Sequence, residues 1–172
     1  MIRASSLVAA LALASWGCGY HVSGSADLIP KTIQTICVPA FGNATVKYQL
    51  TDRLPEAISR EFITRTRYHI IADPEKADAV LHGSVINYIS YPTVFDPATG
   101  RASTIQFMVV MQASLVERAT GKVLYNAPNF TMKNQYEVAT TARAYFEESD
   151  TALDRLSREV ARTLVSSILE NF

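Results

Sequence analysis

Two stretches of this chain carry apolar residues at helical spacing, and between them the pattern changes to alternation. From Tyr48 to Thr66, Leu50, Leu54, Ile58 and Phe62 recur every four residues, with Ala57 and Ile63 widening the stripe. Asp52, Arg53, Glu56, Arg60, Glu61 and Arg65 take the other faces, so the segment predicts an amphipathic helix. Pro55 fits only if that helix starts close to Thr51, because a later proline would remove an internal hydrogen bond. A second stripe, Leu153, Leu156, Val160, Leu164 and Ile168, predicts a closing helix over about 149–170. Ser149 or Asp150 suits its N-cap, and Glu147-Glu148 suits the acidic start of such a helix. A first strand is expected over 32–40, followed by a Gly- and Asn-containing loop over 41–45.

Four strand-like segments lie between the helices. Residues 68–71 are short and stop at Asp73-Pro74. Residues 77–91 are long and stop at Pro92. Residues 103–117 alternate most clearly, with Ile105, Phe107, Val109, Met111, Ala113 and Leu115 on one face. The turn Ala119-Thr120-Gly121-Lys122 leads into Val123-Leu124-Tyr125, a hairpin signal. After Pro128 the alternation resumes through Phe130, Met132, Tyr136 and Val138. This succession predicts an α+β fold: a two-layer sandwich with two amphipathic helices on one face of a mostly antiparallel sheet. The sheet is expected to have four or five strands, in the order β-α-β-β-β-α. Its other face mixes Met108, Val110 and Val116 with Thr and Gln, which suits a partly solvated face or a docking surface.

The N-terminus adds a destination. Arg3 precedes an apolar run, Leu7 to Ala14, that leads through Ser15, Trp16 and Gly17 to Cys18. A basic start, an apolar centre and small residues before a cysteine make up a bacterial lipoprotein signal. Trp16 and Ser15 depart from the usual Leu-small-small-Cys pattern, so an ordinary signal peptide or an N-terminal anchor stands as the other reading. The run is too short for a spanning helix, which needs about 20 apolar residues. On the lipoprotein reading, residues 1–17 are removed and Cys18 is acylated. Residues 18–30 then form a tether, and 31–172 form one domain. Gly19, in place of Asp, after the cysteine favours the outer membrane.

Composition narrows the chemistry. Arg3 is one of 16 basic residues balancing 16 acidic ones, so its loss leaves a net charge of about −1. Such a chain has no global field for nucleic acid, and a local cluster must supply any anion binding. Cys37, in an apolar strand-like run, reads as a buried structural thiol. His21, His69 and His82 are scattered and form no metal motif. No nucleophile elbow, phosphate loop or dinucleotide fingerprint occurs. Asp52, Glu56 and Glu61 have arginines as sequence neighbours, which fits solvated helical charge rather than acid–base work. The eight tyrosines sit mostly at strand positions, where aromatic residues pack anyway. The expectation is a protein without catalysis, and without any cofactor beyond the covalent lipid on Cys18.

Several segments together resemble one family. Gly17-Cys18-Gly19-Tyr20-His21, Ile36-Cys37-Val38-Pro39-Ala40-Phe41-Gly42-Asn43, Leu50-Thr51-Asp52-Arg53-Leu54 through Arg60-Glu61-Phe62, and Ala77-Asp78-Ala79-Val80-Leu81-His82-Gly83 are similar, in order and spacing, to the LptE lipoproteins of lipopolysaccharide assembly. The resemblance implies a four-stranded sheet with two helices. It also implies a partner, the large outer-membrane β-barrel protein LptD, whose lumen such proteins plug and whose assembly they support. Lipopolysaccharide is the implied ligand. A general outer-membrane adaptor for another envelope protein or for peptidoglycan is the alternative. In a meander the loop over 92–102 and the segment over 139–148 share one end of the sheet, which brings Arg101 and Arg143 to that end. Lys133 lies on the strand between. Guanidinium groups presented together suit the phosphates of lipid A, so Arg101, Arg143 and Lys133 are the candidate ligand residues.

Overall fold

The structure is a computed structural model that describes residues 29–137 and 142–170, with the side chains of 142–150 outside the described residues. Cys18 and the signal lie outside them as well. Among the described residues six strands and two helices follow one another as β1 (Thr35–Cys37), β2 (Gly42–Asn43), α1 (Leu50–Arg65), β3 (His69–Ile70), β4 (Ala79–Phe95), β5 (Ala102–Glu117), β6 (Val123–Glu137) and α2 (Ala142–Glu170). The sheet runs β3-β1-β4-β5-β6, and β2 adds to β4 beside β1. β4, β5 and β6 form a long antiparallel meander, whereas β1, β2 and β3 pair in parallel. The sheet is therefore mixed, and the two-residue β2 takes up part of the segment expected to be a loop.

The two apolar stripes become the core. Leu50, Leu54, Ile58 and Phe62 of α1 are fully buried, as are Val160 and Leu164 of α2. They meet Phe107, Val109, Met111, Ala113 and Leu115, the alternating face of β5. Packing of both helices on that face leaves the opposite face of the sheet open. The helices lie in parallel register: Arg53 Nη1 donates to Asp154 Oδ1 at 2.7 Å, and twelve residues on, Arg65 Nη1 donates to Ser166 Oγ at 2.8 Å. Tyr125 and Ser167 hydroxyls, 3.0 Å apart, tie α2 to β6. Ile29 is also buried, so the packed body reaches back at least that far.

Pro55 is accommodated by a substitute donor. It has no N–H for the Thr51 carbonyl one turn earlier. The backbone N–H of Phe41 donates to that carbonyl instead, at 3.0 Å. The proline thus fastens the start of α1 to the end of the β1 segment. The loop between them is organised by Asn43, whose Oδ1 accepts from the Thr45 N–H at 2.8 Å and whose Nδ2 donates to the Lys47 carbonyl at 2.7 Å.

Two boundaries differ from the sequence expectation. β4 does not stop at Pro92: it continues to Phe95 with register shifts around Pro92 and Val94. Its outer edge is unpaired beyond β2, so a missing N–H there costs no ladder bond. Pro128 lies within a strand, as the resumed alternation implied. β6 is continuous, and the ladder slips beside Pro128, between the pairs Met111–Phe130 and Ala113–Ala127. Finally, α2 begins at Ala142, so Ser149 and Asp150 lie inside the helix rather than capping it. Helical propensity upstream of 149 outweighs the acidic cluster that looked like a start.

Ser157 carries a small defect. It is 2% exposed, and its hydroxyl has no hydrogen-bond partner. Ser157→Ala removes an unsatisfied buried group and raises helix propensity, so it is expected to stabilise the domain by about 1 kcal/mol. Urea unfolding of the two proteins, read as a shift in midpoint at unchanged slope, measures this.

Candidate functional site

The two ends of the meander differ in character. At one end the short β5–β6 turn sits near the C-termini of both helices. At the other end the β4–β5 hairpin, the last residues of β6 and the N-terminus of α2 come together, as the strand parity requires. Asp96 builds the hairpin. Its Oδ1 accepts from the N–H groups of Ala98 at 2.7 Å and Thr99 at 3.0 Å, and its backbone N–H donates to the Arg101 carbonyl at 2.8 Å. Gly100 adopts φ of 66°, a left-handed conformation that glycine takes without strain.

Arg101 is exposed at the tip of this hairpin. Arg143 falls in the first turn of α2, at the same end, with its side chain outside the described residues. Lys133 stands farther back. Its register partner is Met108, six residues from Ala102, which is about 20 Å along an extended strand. Lys133 projects from the open face and is exposed. The hairpin and helix start thus share an end, while Lys133 lies on the flank of the sheet.

The open face is more apolar on β4 than the sequence indicated. Ile86, Ile89, Tyr91, Val94 and Phe95 are 43, 39, 47, 51 and 56% exposed. Ile89 lies beside Met108, and the Tyr91 hydroxyl donates to Gln106 Oε1 at 2.9 Å. Beyond Asn43 no described strand pairs with the outer edge of β4. An apolar stretch on a strand with one unpaired edge is an unusual surface for a protein to leave uncovered. Alternation within β4 could have flagged these side chains. The absence of a neighbouring strand was not legible locally.

The sequence matches the model of the lipopolysaccharide-assembly family LptE over residues 33–168. The chain belongs to the LptE family. No curated protein matches it. Among solved structures, a lipoprotein from Caulobacter crescentus CB15 is similar at a TM-score of 0.53 and 15% identity, over 81% of this chain and 88% of that one. Lipoprotein B from Nitrosomonas europaea gives 0.51 and 12%, over 80% and 83%. The PelC dodecamer from Paraburkholderia phytofirmans gives 0.50 and 12%, over 79% and 87%. At such identities the likeness speaks for the fold alone.

The segments that resemble LptE have structural tasks in this chain. Phe41 is buried and lies across Gly83 on β4. Asp78 Oδ2 accepts from the N–H groups of Gln34 and Thr35 and from the Thr35 hydroxyl, each at 2.9 Å. These bonds, with Arg118 nearby, hold the Asp78 carboxyl below its ordinary pKa. Cys37 is buried in a small cluster with Ala77 and Val80, and burial raises its thiol pKa. The expected structural thiol is therefore found. Among the described residues no group of His, Cys, Asp and Glu has metal-binding geometry. No helix among them is long and apolar enough to cross a membrane.

Proposed function

We propose that this LptE-family protein is the lipid-anchored subunit of the outer-membrane lipopolysaccharide export site. Cys18 carries the acyl chains, and residues 19–28 tether the domain. The domain sits within the lumen of an LptD-type β-barrel, supports its assembly and binds lipopolysaccharide. The observation that carries this reading is the uncovered β4 stretch on a member of a lipopolysaccharide-assembly family. A barrel wall is itself made of strands, so it offers that apolar strand and its unpaired edge a matching surface. Arg101 and Arg143, at the hairpin end, are the residues proposed to meet the lipid A phosphates, with Lys133 on the flank. The role requires binding and positioning and no chemical step.

Purification of the full chain from outer membranes in mild detergent tests the reading. The wild-type protein is expected to bring a large barrel protein with it, and Cys18→Ala is expected to leave the protein outside the membrane fraction. Recovery with another envelope protein or with peptidoglycan, and without a barrel, supports the adaptor alternative instead. Joint charge reversal, Arg101→Glu with Arg143→Glu, is expected to weaken lipopolysaccharide binding without lowering the unfolding temperature. Unchanged affinity removes these two residues from the site.

A further inference from the structure

A groove of about 400 Å³ runs between the outer edge of β6 and α2. Its floor is apolar and aromatic. Phe107 and Tyr136 lie with ring centroids 6.2 Å apart, and Leu156 is buried beside them. Arg155 and Arg158 stand on its helical rim, both exposed. Neither makes an ion pair or a hydrogen bond among the described residues, although Arg53, Arg65 and Arg162 all engage carboxylates. Two acids also line the groove. Glu159 is engaged by Arg162 at 3.7 Å, and Glu137 pairs with Thr104, on the sheet face away from the helices. At the β6 edge the Gln135 N–H donates to the side chain of Asn134 at 2.7 Å. Exposed guanidinium groups beside an apolar floor favour a ligand with its own anion and apolar body.

We infer that this groove is a binding site for the phosphorylated glycolipid portion of lipopolysaccharide, with Arg155 and Arg158 on its phosphate and the Phe107–Tyr136–Leu156 floor under its apolar part. The inference rests on the function proposed above and gives its ligand a second seat. Guanidinium forks match phosphate oxygens, and two unpaired forks one helical turn apart present several donors to one group. Tyr136 and Glu137 pair with Ile105 and Thr104, so the groove opens at the same end of the sheet as the Arg101 hairpin. A glycolipid entering at that end meets the hairpin first and the groove next.

The test measures binding of the full chain, in detergent, to immobilised lipopolysaccharide, to the same material after phosphatase treatment, and to phosphatidylglycerol vesicles. Arg155→Glu with Arg158→Glu is expected to weaken lipopolysaccharide binding at least about tenfold, since each loses a charged hydrogen bond to phosphate. Both arginines are exposed and have no partner among the described residues, so the melting temperature of the double variant should match wild type. Dephosphorylation should weaken wild type by more than it weakens the double variant, which keeps Arg101 and Arg143. Wild-type binding to lipopolysaccharide with no loss in the double variant overturns the groove alone. Equal wild-type affinity for phosphatidylglycerol overturns it as a glycolipid site. Absence of wild-type binding overturns the proposed function and the groove with it.

Discussion

Alanine at Gly83 is expected to destabilise the domain by about 3 kcal/mol, although it adds a single methyl group. A Cβ built there would stand 2.5 Å from the Cδ2 and Cζ atoms of Phe41. Ordinary van der Waals contact begins near 3.5 Å between carbons, so something has to move. Phe41 has little freedom to do so. Its side chain is buried, and its backbone N–H is committed to the Thr51 carbonyl that Pro55 cannot serve. Displacing the ring therefore disturbs the start of α1 as well as the β4 surface. In a domain of this size each kcal/mol lowers the melting temperature by about 2–4 °C, so the loss is readily seen by circular dichroism. Phe41→Leu in the Gly83→Ala background should return part of the loss, a coupling of about 1 kcal/mol in a double-mutant cycle. Gly83→Ala melting with wild type would show that Phe41 does not lie across β4.

Asp78→Ala is expected to cost about 2 kcal/mol at neutral pH, because the Gln34 and Thr35 N–H groups lose a charged acceptor. The carboxylate is partly exposed, and solvent screening keeps the figure below the sum of its three bonds. The loss should also depend on pH. The folded pKa is lowered from an unfolded value of about 3.9. The contribution is therefore fully present above about pH 4 and falls as the pH drops through the lowered folded value. Urea unfolding from pH 7 to pH 2.5 should give a constant gap between the two proteins above pH 5. That gap should narrow below pH 4. A gap that is flat across the whole range would mean that the charge of Asp78 does not matter. The site is sensitive because β1 lies between β3 and β4, and Asp78 fixes where β1 begins.

Residues whose environment repeats along the chain were the legible ones. Leu50, Leu54, Ile58 and Phe62 announce their helix by spacing, and all four are buried as that spacing requires. The alternation of β5 named its buried face correctly from Phe107 to Leu115. Positions decided by distant neighbours were not legible. Pro92 read as a strand end because a proline removes a ladder donor. It lies on an unpaired edge, where the donor is not missed. Arg101 and Arg143 could be assigned to one end because meander parity is a matter of counting. The groove arginines could not be found this way. Arg155 and Arg158 look like any solvated helical charge until β6 is seen beside them and their lack of partners is known.

The matched spacing of Arg53–Asp154 and Arg65–Ser166 has a kinetic consequence. Each pair joins residues 101 positions apart in the chain. The helical layer of the core is therefore shared between segments separated by the whole meander, and α2 closes the described chain. Contacts of such long sequence separation form slowly, because loop closure has to precede the burial that rewards it. Until α2 has emerged from the ribosome, Leu54, Ile58 and Phe62 lack half of their cover. The helical layer of the core is therefore incomplete until α2 is available. For the exported lipoprotein proposed above, late completion of the core favours a partly made chain that can still be threaded.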